Sequence, residues 1–151
     1  MKRFSCFFIW IFVLTSILPA QEREVKLKVV QTSDIHGNYY PYDFIRRREA
    51  TGSLARVHAL VQKEREAYGK NLILLDNGDI LQGQPTAYYY NYIDTVAPHL
   101  AAEMMNFMGY NAGNMGNHDV ETGRTVFDRW AGDCLSLIHI SEPTRLRRIS
   151  Y

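Results

Sequence analysis

Leu72-Ile73-Leu74-Leu75-Asp76-Asn77-Gly78-Asp79 decides the fold: an unbroken apolar run that ends abruptly on carboxylates, an amide and a glycine. A run this short, bounded by turn residues, suits a strand buried on both faces of a layered α/β core. Its exit loop, Asp76 to Pro85, carries polar groups out at the strand's carboxyl end. Two other segments repeat the arrangement. Val25 to Thr32 reads as a strand entering the core from an exposed start, followed by Asp34-Ile35-His36-Gly37-Asn38. Asn111-Ala112 reads as a short third strand, followed by Gly113-Asn114-Met115-Gly116-Asn117-His118-Asp119.

Helical patterns separate these strands. From Ser53, an N-cap residue, to Tyr68, the apolar positions Leu54, Val57, Leu60 and Val61 keep helical spacing, and Gly69 stops the helix. Ala101 to Met108 predicts a second helix ended by Gly109, and Thr122 to Trp130 a third. Tyr88, Tyr89, Tyr90 and Tyr92 are expected, with Ala87 and Ile93, to pack a helix or loop against the core.

The chain of 151 residues has the apolar and charged fractions of a globular protein. Its formal charge of +1 is set by its two ends, because Gln21 to Asp133 carries 12 Lys and Arg against 15 Asp and Glu, a net −3. No basic stripe marks that stretch for a nucleic-acid polymer. Cys6 and Cys134 form no Cys-x-x-Cys pair, so any metal must be held by oxygen and imidazole. Lys2 and Arg3 precede the apolar run Phe4 to Leu18, and Pro19-Ala20-Gln21 follows. Residues 1–20 therefore read as a signal peptide, too short to span a bilayer as a stable anchor, and predict export to a periplasmic or extracellular space.

The polar clusters carry the chemistry. On a strictly extended strand, Asp34 and His36 would project to one face and meet one cation. Gly78-Asp79 adds a carboxylate where the glycine lets the backbone approach a ligand, with Asp76 as a turn-former. Asn117 and His118 add a neutral oxygen and an imidazole. Polar residues at three successive strand ends fall on one edge of an open parallel sheet, the usual place for an active site. The run Arg46-Arg47-Arg48 and the histidines His58 and His99 are given no function.

Asp34-x-His36, Gly78-Asp79 and Gly116-Asn117-His118-Asp119, in this order, resemble the calcineurin-like metallophosphoesterases. Thr32 to Asn38, Gln82-Gly83-Gln84-Pro85 and the leader narrow the resemblance to exported 5'-nucleotidases and 2',3'-cyclic-nucleotide phosphodiesterases, over about Val25 to Trp130. The resemblance implies a four-layer α/β/β/α sandwich, here its N-terminal part. It implies two divalent ions, Zn, Mn, Co or Fe, acting on small phosphate esters, most closely nucleotides or cyclic nucleotides. Asp34 and His36 would hold the first ion, Asp79 would bridge both, and Asn117 would bind the second. Two such ions activate water and clamp an in-line displacement. His118 would stay off the metal as general acid or charge stabiliser, oriented by an acid a few positions on, Glu121 in preference to Asp119.

The same family supplies further metal-binding histidines in downstream Gly-His and Gly-His-x-His segments, which this chain does not have. Leu135 to Ile140 has the pattern of a strand, yet Leu135 to Arg145 resembles the conceptual translation of a transposon-type sequencing-library adapter. Residues 21–134 are thus expected to be a partial catalytic domain and 135–151 a foreign tail. The alternative for the chain by itself is a non-catalytic fragment with at most weak metal binding.

Overall fold

The computed structural model describes residues 24–139; the leader and the end of the tail lie outside them. Four strands form one parallel sheet: β1 (Lys28–Thr32), β4 (Leu72–Asp76), β5 (Ala112–Asn114) and β6 (Leu137–His139), in spatial order β1-β4-β5-β6. A separate two-stranded hairpin, β2 (Tyr42–Asp43) with β3 (Arg48–Glu49), sits in the first exit segment. Between the sheet strands run α1 (Leu54–Tyr68), α2 (Pro85–Tyr88) continuing into a π-helical turn Tyr89–Ile93, α3 (Leu100–Met108), α4 (Asn117–Glu121) and α5 (Arg124–Asp133).

Local signals place the helix ends. Ser53 caps α1 by accepting the Arg56 N–H at 3.2 Å, and Gly69 closes it. Gly109, left-handed at φ 67°, closes α3. The N-cap of α3 is His99, whose Nδ1 accepts from Ala101 N–H at 3.2 Å.

Several expectations shift for identifiable reasons. β1 begins at Lys28, because Val25 and Leu27 are exposed and gain no burial from pairing. The third strand is Ala112–Asn114; Asn111 stops short of it and uses its Oδ1 to accept the Leu74 N–H at 2.8 Å. The last expected helix, Thr122 to Trp130, runs instead from Arg124 to Asp133 as α5, because Gly123 at φ 92° breaks the backbone before it. The turn ahead of it, Asn117–Glu121, is itself helical as α4. Leu60 faces solvent, so the buried stripe of α1 is carried by Leu54 and Val61. The tyrosine run also turns outward. Tyr88, Tyr89, Tyr92 and Ile93 are exposed, and the residues packed inward are the small Ala87 and the hydrogen-bonded Asn91.

The core lies on one face of the sheet only. Leu72 and Leu74 meet Leu54 and Val61 of α1, Ala101, Met105 and Met108 of α3, and Val126 and Trp130 of α5. Strand β4 alternates buried and half-buried positions, and so it is not enclosed on both faces as its composition suggests. Register puts Val29, Ile73, Leu75, Ala112 and Leu137 together on the opposite face. Val29 is 57% and Leu137 74% exposed there.

Candidate metal centre

The exit loops of β1 and β4 are laced together by their backbones. Asn77 N–H donates to Thr32 O at 2.8 Å, Asp34 N–H to Gly78 O at 3.0 Å, His36 N–H to Asp79 O at 2.8 Å and Gln84 N–H to His36 O at 3.1 Å. This lacing holds Asp34, His36 and Asp79 at φ 56°, 50° and 61°, left-handed values that non-glycine residues seldom adopt. Such strain persists only where surrounding bonds over-determine the backbone. The extended geometry expected for Asp34-x-His36 is therefore not the one adopted. The pair lies beyond the end of β1, and its side chains approach through a left-handed turn, with Asp34 Oδ1 3.8 Å from His36 Nε2.

The third loop arrives through two glycines. A Cβ on Gly78 would stand 2.4 Å from Gly116 N, and one on Gly116 would stand 2.1 Å from Asp79 Oδ1, so neither position has room for a side chain. This contact brings His118 beside Asp79, and its backbone N–H donates to Asp79 Oδ1 at 2.9 Å. Ligand atoms of His36, Asp79 and His118 all fall within 4.8 Å of one another. Imidazole nitrogens and a carboxylate oxygen from the exit loops of β1 and β4 and the first turn of α4 form a donor set suited to a divalent transition ion, so these residues fit the metal that the resemblance implies. Asp34 stands at the rim with its side chain 65% exposed. Asn117 opens α4 and is exposed.

The two acids after His118 diverge. Glu121 Oε2 lies 3.0 Å from His118 Nδ1 and also accepts from Gln82 Nε2 at 3.3 Å. The Glu121 bond raises the proton affinity of His118, and the same contact lowers the pKa of Glu121. Asp119 points inward and is fully buried. Its carboxylate accepts four backbone N–H groups: Asp79 at 2.7 Å, Leu81 at 2.8 Å, Ile80 at 2.9 Å and Gly116 at 2.9 Å. Burial pushes its pKa up against those four bonds. Asp119 thus pins the β4 exit loop to the α4 turn, while the His118 ring makes its hydrogen bond to Glu121.

Supporting groups extend this framework. Asp76, buried at the end of β4, accepts from Thr32 Oγ1 at 2.6 Å and from Gly78 N–H at 3.0 Å, the turn-forming bond expected of it. Burial pushes its pKa up to about 6. Two residues carry signals that sequence reasoning passed over. Gln82, inside a segment used only as a family marker, accepts at its carbonyl from His36 Nδ1 at 3.1 Å. Buried His99 donates from Nε2 to Asn91 Oδ1 at 2.9 Å, while Asn91 Nδ2 donates to Leu81 O at 2.7 Å. Burial lowers the His99 pKa to about 4 and keeps its Nδ1 free to cap α3. Its position just before an apolar helical run was the available sign.

The sequence pattern of the family described as "Calcineurin-like phosphoesterase" matches residues 27–146. The chain belongs to that family. Calcineurin-like phosphoesterases use divalent metals, in keeping with the donor set at His36, Asp79 and His118. The chain is 37% identical over 133 residues to the trifunctional nucleotide phosphoesterase protein YfkN of Bacillus subtilis, covering 78% of this chain and 9% of that protein. It is 33% identical over 107 residues to a 2',3'-cyclic-nucleotide 2'-phosphodiesterase/3'-nucleotidase of Yersinia enterocolitica, covering 69% of this chain and 16% of that protein. The crystal structure of YfkN superimposes with a TM-score of 0.70 at 33% identity, over 77% of this chain and 36% of that one. The chain thus spans less than a fifth of the length of these two curated relatives. Within the family, the mixed α/β architecture with a parallel sheet is the shared N-terminal domain fold.

Proposed function

We propose that this chain is part of an exported metal-dependent hydrolase of phosphate esters, with nucleotides or cyclic nucleotides as substrates. The observation that carries the reading is the convergence of His36, Asp79 and His118 onto one point, from the exit loops of β1 and β4 and the first turn of α4. In the parent enzyme, Asp34, His36, Asp79 and Asn117 would hold two divalent ions. Bound there, the ions would supply an activated water and neutralise charge on the phosphoryl oxygens. His118 does the proton chemistry. With Nδ1 held by Glu121, its Nε2 is left to donate to a substrate oxygen, and the carboxylate favours the imidazolium needed for that donation. The leader Phe4 to Leu18 supports export, and among the described residues no helix is long and apolar enough to cross a membrane.

The test is metal-dependent hydrolysis of a chromogenic phosphodiester and of AMP, by this chain and by a full-length relative. Asp79→Asn should abolish turnover and metal binding together. His118→Gln should abolish turnover while metal binding persists. Absence of turnover by the full-length protein with Zn, Mn, Co and Fe would defeat the reading. A second reading applies to the chain by itself: a weak metal binder without turnover. It is favoured by the donor count: with His118 kept for proton chemistry, His36 and Asp79 are the proposed ligands gathered among the described residues, while Asp34 and Asn117 are exposed. Turnover by the chain alone, lost in Asp79→Asn, would refute it. The same proposal keeps residues 21–134 as the partial catalytic domain, and sequencing the locus across Cys134 tests the foreign tail.

A further inference from the structure

Two of the three arginines left without a role, Arg46 and Arg48, line cavities next to His36. A cavity of about 250 Å³ is bounded by His36, Asn38, Asp43, Arg46, Gly83 and Gln84, so His36 of the candidate metal centre and Arg46 line the same cavity. A second cavity of about 490 Å³ shares Asn38, Asp43 and Arg46 and adds Arg48 and Glu49. The two make a trough leading from His36 along the β2–β3 hairpin.

Arg46 is anchored in that trough. Asp43, only 8% exposed, accepts from the backbone N–H of Ile45 at 3.0 Å and of Arg46 at 2.9 Å, and from an Arg46 guanidinium nitrogen at 3.3 Å. Gln84 Nε2 donates to the same carboxylate at 3.4 Å, while Gln84 Oε1 is buried with no partner among the described residues. One guanidinium nitrogen is thereby committed, and the rest of the fork remains on a side chain that is 69% exposed. A planar fork held from behind by a buried carboxylate is suited to an anion carrying two or three oxygens, because the ordering cost falls on the protein rather than on binding.

We propose that Arg46, supported by Arg48, forms a subsite for a second anionic group on a substrate whose first phosphoryl group lies at the metal centre. The substrate class this selects is a phosphate ester bearing another phosphate, such as a nucleoside diphosphate or bisphosphate, over a simple monoester. The inference rests on the metal-centre reading above and deepens it.

The probes are propylphosphonate and propane-1,3-diyl bisphosphonate, which differ by one anionic group and do not hydrolyse. Their affinities are measured by calorimetry on the Mn²⁺-loaded chain. The bisphosphonate should bind about 10-fold more tightly, the scale of one charge-assisted contact. Arg46→Gln should bring that ratio close to one while leaving propylphosphonate binding and Mn²⁺ stoichiometry intact. Arg48→Gln should lower it less, and Arg124→Gln, on α5, should leave it unchanged. Circular dichroism checks folding; should Arg46→Gln fail to fold, Arg48→Gln decides, and an unaltered ratio there overturns the proposal. Metal-dependent propylphosphonate binding with a wild-type ratio near one would overturn the subsite and spare the metal centre. Propylphosphonate binding that ignores Mn²⁺ would remove the metal centre, and the subsite with it. Binding of a single-stranded oligonucleotide more tightly than the bisphosphonate, lost in Arg46→Gln, would assign the trough to a polymer and overturn the small-molecule inference.

Discussion

The two faces of the sheet are made by the same strands yet differ in almost every respect. Toward the helices, Leu72, Leu74 and Trp130 are buried, and Thr32 and Asp76 close the carboxyl edge with a hydrogen bond of 2.6 Å. On the other side, Val29 and Leu137 are largely exposed and Ile73 and Leu75 half-exposed. A four-layer sandwich places a second sheet on such a face. The metal-centre loops hang from the carboxyl ends of β1, β4 and β5, and their anchors Asp76, Asp119 and His99 all belong to the buried interior. Site geometry is thus secured by one half of the architecture.

The largest test of this asymmetry compares Trp130→Ala with Val29→Ala. Loss of the buried indole should cost about 3–5 kcal/mol in denaturant unfolding. The exposed valine should cost less than about 1 kcal/mol. Equal losses would mean that both faces are packed.

Acidification sets two groups of the buried side against each other. His99 has a folded pKa near 4 against an ordinary 6.5, so the unfolded chain takes the proton first and stability falls as pH drops from 6.5 to 4. Asp76 has a folded pKa near 6 against an ordinary 3.8, so the folded chain takes the proton first and stability rises as pH drops from 6 to 3.8. Each effect amounts to about 3 kcal/mol, and in the wild-type chain they oppose each other. Asp76→Asn should expose the acid loss due to His99, and His99→Gln the acid gain due to Asp76, in unfolding measured at pH 6.5 and 4.5. Parallel pH profiles for the two variants would contradict the assignment.

Asp119→Asn should be smaller in stability but sharper at the site. An amide would turn its NH2 toward two of the four N–H groups that now meet oxygen, at a cost of about 1–3 kcal/mol. Mn²⁺ affinity should fall by more than that stability loss explains, because Asp79 N–H is one of the four donors. The smallest effect belongs to the bare face. Val29→Lys with Leu137→Lys should move the unfolding free energy by no more than about 0.5 kcal/mol while reducing concentration-dependent light scattering.

What could be read from the residues was local, and what could not was distant. Leu72 to Leu75, the Ser53 cap and the Gly109 stop declare themselves within a few positions. The three polar clusters were legible for the same reason, each being contiguous. The role of Asp119 was not, since three of its four partners lie 38 to 40 residues away and are backbone groups, which carry no residue identity. Glu121 could be preferred by spacing, but its bond to His118 needed α4 to be helical. The tyrosine run misled because aromatic content was taken for burial, whereas Ala87 and Asn91 are the packed residues. Asp34 and His36 came near each other by a route that alternation does not describe, the backbone of β4's exit loop having set their left-handed turns.

Those turns place three proposed metal ligands, Asp34, His36 and Asp79, where folding and binding want different amino acids. At φ near 50° to 60°, glycine would relieve strain at positions 34, 36 and 79. Selection for a soluble, folded chain alone would admit glycine there, the residue for which these backbone angles carry no strain. Selection for metal retention would pull back to Asp, His and Asp. The three positions are therefore where a directed-evolution lineage would reveal whether it had been screened for folding or for metal binding.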